Sequence, residues 1–575
     1  MKKKNCLLLL IFYLIILGGC QLEEMEGLMG KEPVNIYPVP GSKNVFPEGE
    51  LMIVFDNVPS LMEGKYIEIY EAGNSAPVDR IRIFNKRKDF NNTTAEDKGT
   101  VQLFPNSGVK APADDRPQDK PGFRGVNMAF IRTWLTEKDN RTLNLDPEKS
   151  TALYITPEHG AIQYGKTYRV EIPADAILNG YFDGKEFSGF EEGDWTFTTR
   201  SAPTGISASK PITVNGSQSP RNKANFRTVW AALNWIRTAP KGNYTINVAP
   251  GVYNELINYH VDAANASNIT INGTGTEKYG ADVVIQWINC NNINGGSGST
   301  HWRSAVYFSG PKKIILKNLT IKNLDEHSGN QAEALMFGNA KGADGDVRIA
   351  YNCGFYGHQD TIQTSGRCWF YKCYIEGDTD FICGSSDVAL FEECEIVSIA
   401  CKQGFVFVAR LDDKQKTVSK GYVALNSSLV SKAPGNLFGR TLPSSSGSFD
   451  QAAVINCTIS GNSPANGYAS SLWKVSHNSF LDNGEHVGFK VYNLRKPDGS
   501  EYPAGGKDAK TSLMTDDLYN AEYSNRNVIL NRVYNSATGL YQDAAFIWDV
   551  SGYIKEFISK PAAYTDRLQY ICRKW

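Results

Sequence analysis

Apolar and polar residues alternate with period two along most of the chain, in two regimes. Between residues 31 and 200 the alternation comes in short separate segments: Leu51–Phe55, Tyr66–Tyr70, Val78–Phe84, Ala152–Ile155 and Tyr168–Ile172. Turn-rich stretches divide them. Successive side chains of a strand point to opposite faces, so such segments predict strands with one buried side, arranged as a β-sandwich. No cluster of acids, bases or metal ligands stands out there, which favours a spacer over a carbohydrate-binding module. Residues 201–209, with Ala202-Pro203 and a glycine, read as a linker.

From residue 210 onward the pattern repeats. Asn318-Leu319-Thr320-Ile321, Asn352-Cys353-Gly354-Phe355, Lys372-Cys373-Tyr374-Ile375, Glu393-Cys394-Glu395-Ile396, Asn426-Ser427-Ser428-Leu429 and Asn456-Cys457-Thr458-Ile459 share one form: polar, small or apolar, any residue, apolar. Their starts are separated by 34, 20, 21, 33 and 30 residues. A unit of about 20 residues with occasional insertions is the signature of a stacked solenoid whose loops grow on one side. The expected fold is all-β: a right-handed parallel β-helix over residues 210–575, preceded by a sandwich. The second position of each repeat should point inward and stack on its neighbours. Cys353, Cys373, Cys394 and Cys457 are therefore expected to be structural.

Composition adds exclusions. A chain of 575 residues exceeds one ordinary core, so more than one domain is expected. Lys+Arg number 60 against 61 Asp+Glu, which leaves no basic footprint for nucleic acid. Nine of the 11 cysteines lie from Cys290 to Cys572. An odd number argues against a complete disulfide framework, and small buried hydrophobes are the simpler reading.

The N-terminus reads as a targeting segment. Lys2, Lys3 and Lys4 precede an apolar run from Leu7 to Leu17, too short for a membrane span. The run ends in Leu17-Gly18-Gly19-Cys20, which resembles a bacterial lipoprotein signal over residues 1–19 with Cys20 as the lipidated residue. The acidic tether of residues 20–30, Gln21-Leu22-Glu23-Glu24-Met25-Glu26 within it, resembles the surface-export signal of Bacteroidota lipoproteins. These features predict an outer-membrane lipoprotein of the cell envelope, facing the cell surface and touching the membrane only through its lipid. Tyr37-Pro38-Val39-Pro40-Gly41 and Trp195-Thr196-Phe197-Thr198-Thr199 resemble the two ends of a bacterial Ig-like domain, which would span residues 31–200.

The repeat also aligns two acids. Asp360 lies seven residues after Cys353, and Asp380 seven after Cys373. Equivalent positions in adjacent coils stack roughly 4.8 Å apart. Two carboxylates that close do not both ionise cheaply, so one should hold a proton near neutral pH. An acid beside a carboxylate suits nucleophilic attack assisted by a proton donor. An aspartate ladder or a calcium site is the alternative for the pair alone. Gln359, Gln331 and Arg440 accompany the pair.

At these residues the chain resembles the pectin methylesterase family. Gly251-Val252-Tyr253-Asn254-Glu255 matches its Gly-x-Tyr-x-Glu motif, and Gln331-Ala332-Glu333-Ala334-Leu335 its Gln-Ala-x-Ala-Leu motif. Gly357-His358-Gln359-Asp360-Thr361-Ile362 matches Gly-x-Gln-Asp-Thr-Leu. The run Tyr374 to Gly384 matches the Asp-Phe-Ile-Phe-Gly block, and Phe438-Gly439-Arg440 part of Leu-Gly-Arg-Pro-Trp. Five motifs in order over residues 210–480 are specific together. The resemblance implies that Asp380 is the nucleophile on the methyl-ester carbonyl and Asp360 the general acid, then base. Gln331 and Gln359 would donate to the oxyanion, and Arg440 would orient Asp380. Thr379, Phe381, Cys383 and Leu442 would line the substrate cleft. Cys383 and Leu442 replace family aromatics, which implies an altered sugar surface. No metal or organic cofactor is implied. His358 lacks companions at metal spacing and is expected to be a neighbour of the site. The implied partner of a monomeric enzyme is methyl-esterified pectin. The rival readings are a non-catalytic pectin-binding surface protein and a β-helix pectin lyase or hydrolase.

The lipid anchor has a direct test. Cys20→Ser should move the protein from the membrane fraction of its native host to the soluble fraction. Unchanged partition of that variant would refute lipidation at Cys20.

Overall fold

The computed structural model describes most of residues 35–558. Outside it lie 1–34, 85–127, 132–151, 291–302, 326–330, 339–345, 400–403, 410–419, 442–450, 462–471, 475–487, 504–510 and 559–575, with a few shorter gaps. The targeting segment, Cys20 and Leu442 thus fall outside the described residues. The described residues form two compact units, divided between Ser201 and Ala202.

In the first unit each of the five alternating segments is a strand: Leu51–Val54, Tyr66–Glu71, Asp79–Phe84, Ala152–Thr156 and Thr167–Glu171. Hydrogen bonds run continuously through nine strands. Most joins are antiparallel, but Thr196–Thr199 pairs parallel with Ser42–Val45, and Asp79–Phe84 with Met128–Ile131. The inward positions, among them Ile53, Ile67, Ile69, Ile81, Leu153, Val170 and Phe197, form one apolar core. Trp195 is wholly buried there and donates its indole N–H to the Pro38 carbonyl at 2.7 Å.

The second unit is a parallel β-helix. The strands from Ile212–Val214 to Thr511–Leu513 pair in parallel, with the chain completing a coil between partners. They build three faces. The first runs from Gly251–Asn254 through Gly354–Tyr356 and Tyr374–Gly377 to Thr458–Gly461. The second runs from Ile257–His260 through Leu335–Phe337 and Phe405–Ala409 to Trp473–Lys474. The third includes Asn243–Val248, Lys313–Lys317, Val347–Tyr351 and Gly421–Leu425. Two long strands, Ile362–Tyr371 and Ile382–Glu392, cross from the second face to the third, and their pairing shifts register between Gly366 and Arg367.

The register explains the sequence repeat. Its first residue turns the chain into the first face: Asn318, Asn352, Lys372, Glu393, Asn426 and Asn456 all have φ between 50° and 56°. Asparagine tolerates this left-handed region best among residues with a side chain, which accounts for its recurrence. Its amides also join coils: Asn352 Nδ2 donates to Asn318 Oδ1 at 2.9 Å. The second residue points inward, and Cys353, Cys373, Cys394 and Cys457 are buried free thiols. Each donates to a backbone carbonyl; Cys373 Sγ reaches the Ala350 oxygen at 3.4 Å. Within the third face one interior column reads Ile246, Ile271, Leu316, Ala350, Phe370, Phe391, Ala424, Val454 and Val491, coil upon coil. Phe370 and Phe391 stack at 4.8 Å.

The ends of the helix are covered differently. The α-helix Val229–Thr238 buries Val229, Trp230, Ala232, Leu233 and Ile236 at the first coils. Its N-cap Thr228 accepts from the Ala231 N–H. Glu255 also accepts from the N–H groups of Val229 and Trp230, at 2.9 and 2.7 Å. A carboxylate on the free N–H groups of a helix start is favourable, so Glu255 of the Gly-x-Tyr-x-Glu motif serves folding. Beyond Leu513 the coils stop. Helices Arg526–Asn531 and Val550–Ile558 then lay Ile529, Leu530, Val550 and Phe557 on Ile315, Ile349, Trp369, Leu390 and Val423. Among the described residues the tail adds no coil and packs on the coils within the same unit. The third face is apolar on both sides, and the tail supplies its outer cover.

Close coil stacking makes a testable demand at Gly384. Its φ is +120°, and a Cβ there would sit 2.2 Å from the Thr364 carbonyl oxygen. Gly384→Ala should therefore cost about 2–3 kcal/mol. Equilibrium urea unfolding followed by circular dichroism should show a lower midpoint; a midpoint equal to the parent's would contradict the stacking described.

Candidate active site

The two aspartates occupy the same place in adjacent coils. Gly354 pairs with Tyr374 before them and Ile362 with Ile382 after them. Both turn the chain from the first face to the second with left-handed backbones, φ 63° at Asp360 and 51° at Asp380. The Asp360 N–H donates to the Thr379 carbonyl at 3.1 Å, which locks the two turns together. Both carboxylates are almost entirely buried.

Their surroundings differ. Arg440 grips Asp380 with two hydrogen bonds, Nε to Oδ1 at 2.7 Å and Nη2 to Oδ2. Its guanidinium lies over the Phe405 ring, 4.7 Å from the centroid. Asp360 instead accepts at one oxygen, Oδ2, from Arg303 Nη2 and Gln331 Nε2, both at 3.0 Å. Arg303 is shared, since Glu333 accepts from its Nε at 2.7 and 2.9 Å. Burial pushes the Asp360 carboxyl well above the usual carboxylate range, and the Glu333 anion adds to that rise; Arg303 opposes it, and the Asp380 charge raises it further. Two neighbouring acids are thereby pulled towards different tasks: one ion-paired, the other inclined to hold a proton.

The remaining expected residues fall around this pair. Gln359 lies beside Asp360, half-buried, and its carbonyl accepts from the Ala332 N–H at 3.2 Å. Thr379 is half-buried beside Asp380. Cys383 faces the acids: burial, then the charges of Asp360 and Glu333, push its thiol well up. Phe381 is corrected. It is wholly buried, because it turns into the helix interior between the outward-facing Asp380 and the strand, and it offers no surface to a sugar. His358 does neighbour the site, with Nδ1 2.9 Å from Asp378 Oδ2.

Three participants were missed from the sequence. Glu333 was visible as an acid in the otherwise apolar Ala-x-Ala-Leu run. Arg303 lies outside any repeated pattern, and nothing in the sequence flags it. Phe405 stands one coil beyond Asp380, since Ile382 pairs with Phe407, but the longer spacing of that coil conceals the alignment. Among the described residues no group of three or more His, Cys, Asp or Glu is arranged to hold a metal ion.

Comparisons with known proteins find one family over this part of the chain. The pectinesterase family model matches residues 217–476, which contain the acids, both glutamines and both arginines. A putative pectinesterase/pectinesterase inhibitor of Arabidopsis thaliana is 28% identical over 218 residues, 37% of this chain and 42% of that protein. The chain thus spans less than half the length of this relative. Pectinesterase QRT1 of the same plant is 25% identical over 58% of this chain and 81% of its own length. Among solved structures, the pectin methylesterase of Aspergillus niger is similar at 23% identity and a TM-score of 0.41, over 55% of this chain and 93% of that one. By the family match, residues 217–476 are a domain of the pectinesterase family.

Proposed function

We propose that this chain is a carboxylic ester hydrolase that removes methyl esters from galacturonate units of pectin and releases methanol. The observation that carries the reading is the asymmetric acid pair: Asp380 held by Arg440, and Asp360 buried beside Gln331. Asp380 attacks the ester carbonyl. The oxyanion that forms takes hydrogen bonds from the amides of Gln331 and Gln359, the kind of stabilisation that contributes most in acyl transfer. Asp360 gives its proton to the departing methoxide, which leaves as methanol, and an acyl-Asp380 anhydride remains. The Asp360 carboxylate then takes a proton from water, the hydroxide opens the anhydride, and free galacturonate leaves with Asp380 restored. Cys383 lies where the substrate surface would begin, and Thr379 flanks it. We also read the chain as an envelope lipoprotein tethered through Cys20, with the N-terminal unit as an Ig-like spacer.

The assay is methanol release from methyl-esterified pectin, with unsaturated products and new reducing ends measured in parallel. Asp380→Asn should abolish turnover, because an amide is a poor nucleophile. Asp360→Asn should lower kcat by about 10²–10⁴-fold and leave pectin binding in place. Because Asp360 must be protonated in the first step and its pKa is raised, kcat/KM should fall as pH rises through that pKa. Near-parent rates in both variants, or products of a lyase or hydrolase, would overturn the reading.

A further inference from the structure

Arg303 is the only described arginine that bonds to Asp360, and it bonds to three side chains of the site at once. Nε and Nη2 clasp Glu333, with Nη2 2.6 Å from Oε1; Nη2 also reaches Asp360; and Nη1 donates to Gln331 Oε1. Glu333 is completely buried, and Arg303 nearly so. Their backbones are anchored too. The Ala305 N–H donates to the Glu333 carbonyl at 2.8 Å, and Asn323 Nδ2 donates to the same oxygen at 3.0 Å. Asn289 Nδ2 holds the Ser304 carbonyl at 2.9 Å.

We propose that Arg303 and Glu333 are positioning residues, a buried ion pair that fixes which face Gln331 presents and holds the Asp360 carboxyl in place. The inference rests on the esterase reading above. A side-chain amide has an acceptor end and a donor end. A guanidinium bonds only to the acceptor, so Arg303 on Oε1 commits the Gln331 NH₂ group to the reacting side. One of its hydrogens goes to Asp360. Glu333 serves as the anion that the buried arginine requires while Asp360 holds its proton. Without it the full charge of Arg303 would fall on Asp360 and favour its ionised form, against the proton donation that the first step needs. The charged groups around Asp360 are Arg303, Glu333, Asp380 and, beyond Asp380, Arg440; Cys383 is the titratable thiol beside them.

The test uses the full chain, with Glu333→Gln and Arg303→Lys, assayed by methanol release across pH. Glu333→Gln keeps the shape and removes the anion that helps Asp360 retain its proton. Asp360 then loses that proton at lower pH, so the alkaline limb of kcat/KM should move down by roughly one pH unit. Arg303→Lys keeps the charge and loses the fork. Its limb should stay while kcat falls about 10- to 100-fold at little-changed KM. Parent-like kcat and pH profiles in both folded variants would overturn the proposal. So would an activity loss in Glu333→Gln with the limb unmoved, which is the mark of a merely structural role. Should Glu333→Gln fail to fold by circular dichroism, Arg303→Lys decides: parent kcat overturns, and a kcat loss at unmoved limb and KM supports. Asp380→Asn separates the two levels. If it still releases methanol, the esterase reading of the site falls. If it is inactive while both other variants behave as the parent, only the positioning pair falls.

Discussion

Gly354 and Tyr374, Ile362 and Ile382 are paired across two coils, and the same 20-residue offset separates both pairs. Equal coil lengths between two parallel strands leave the chain no choice about Asp360 and Asp380: they must stack. A single inserted residue in either turn would move one carboxylate off its column. The Asp360 N–H to Thr379 carbonyl bond and the shared left-handed backbone at the two aspartates hold that equality in place. Everything the site does electrostatically depends on this register, because the proximity of like charges is set by the strand spacing.

Stacking alone would make two equivalent acids. The asymmetry comes from neighbours further along the helix on opposite sides. Arg440, two coils onward from Asp380, neutralises that carboxylate from one direction. Arg303 and Gln331, from the coils before Asp360, approach from the other. Arg303 is in turn divided between Asp360 and Glu333, so Asp360 receives only part of a positive charge and is deeply buried as well. That division separates a carboxylate suited to attack from a carboxyl suited to donate a proton.

A site of this kind needs a stiff support. The second face that carries Cys383 and Arg440 is continuous with the third through the strands Ile362–Tyr371 and Ile382–Glu392. The third face is clamped from inside by the column through Phe370 and Phe391, and from outside by the C-terminal helices. Lys420 extends the clamp, donating to the Glu522 and Val528 carbonyls at 3.0 and 2.9 Å. Arg526 adds its bond to Glu392 at 2.8 Å. Side chains fixed on packed strands keep their geometry better than side chains on loops.

The amino-acid sequence by itself determined the repeat, the inward cysteine column and the stacking of Asp360 on Asp380. Each follows from local spacing: a strand alternates with period two, and coils of equal length repeat that alternation in register. Gln331 and Arg440 were legible only through a family resemblance, since loops of unequal length separate them from the aspartates. Phe381 was misread because a motif names residues without saying which way they face, and the turn at Asp380 sends the next side chain inward. The helices of the tail were not legible, because they have a place only once the third face exists to be covered. Tertiary structure alone decided Arg303, Glu333 and Phe405. They reach the site across coils at separations that carry no period, and a charge finds its partner through space, where distance along the chain leaves no mark.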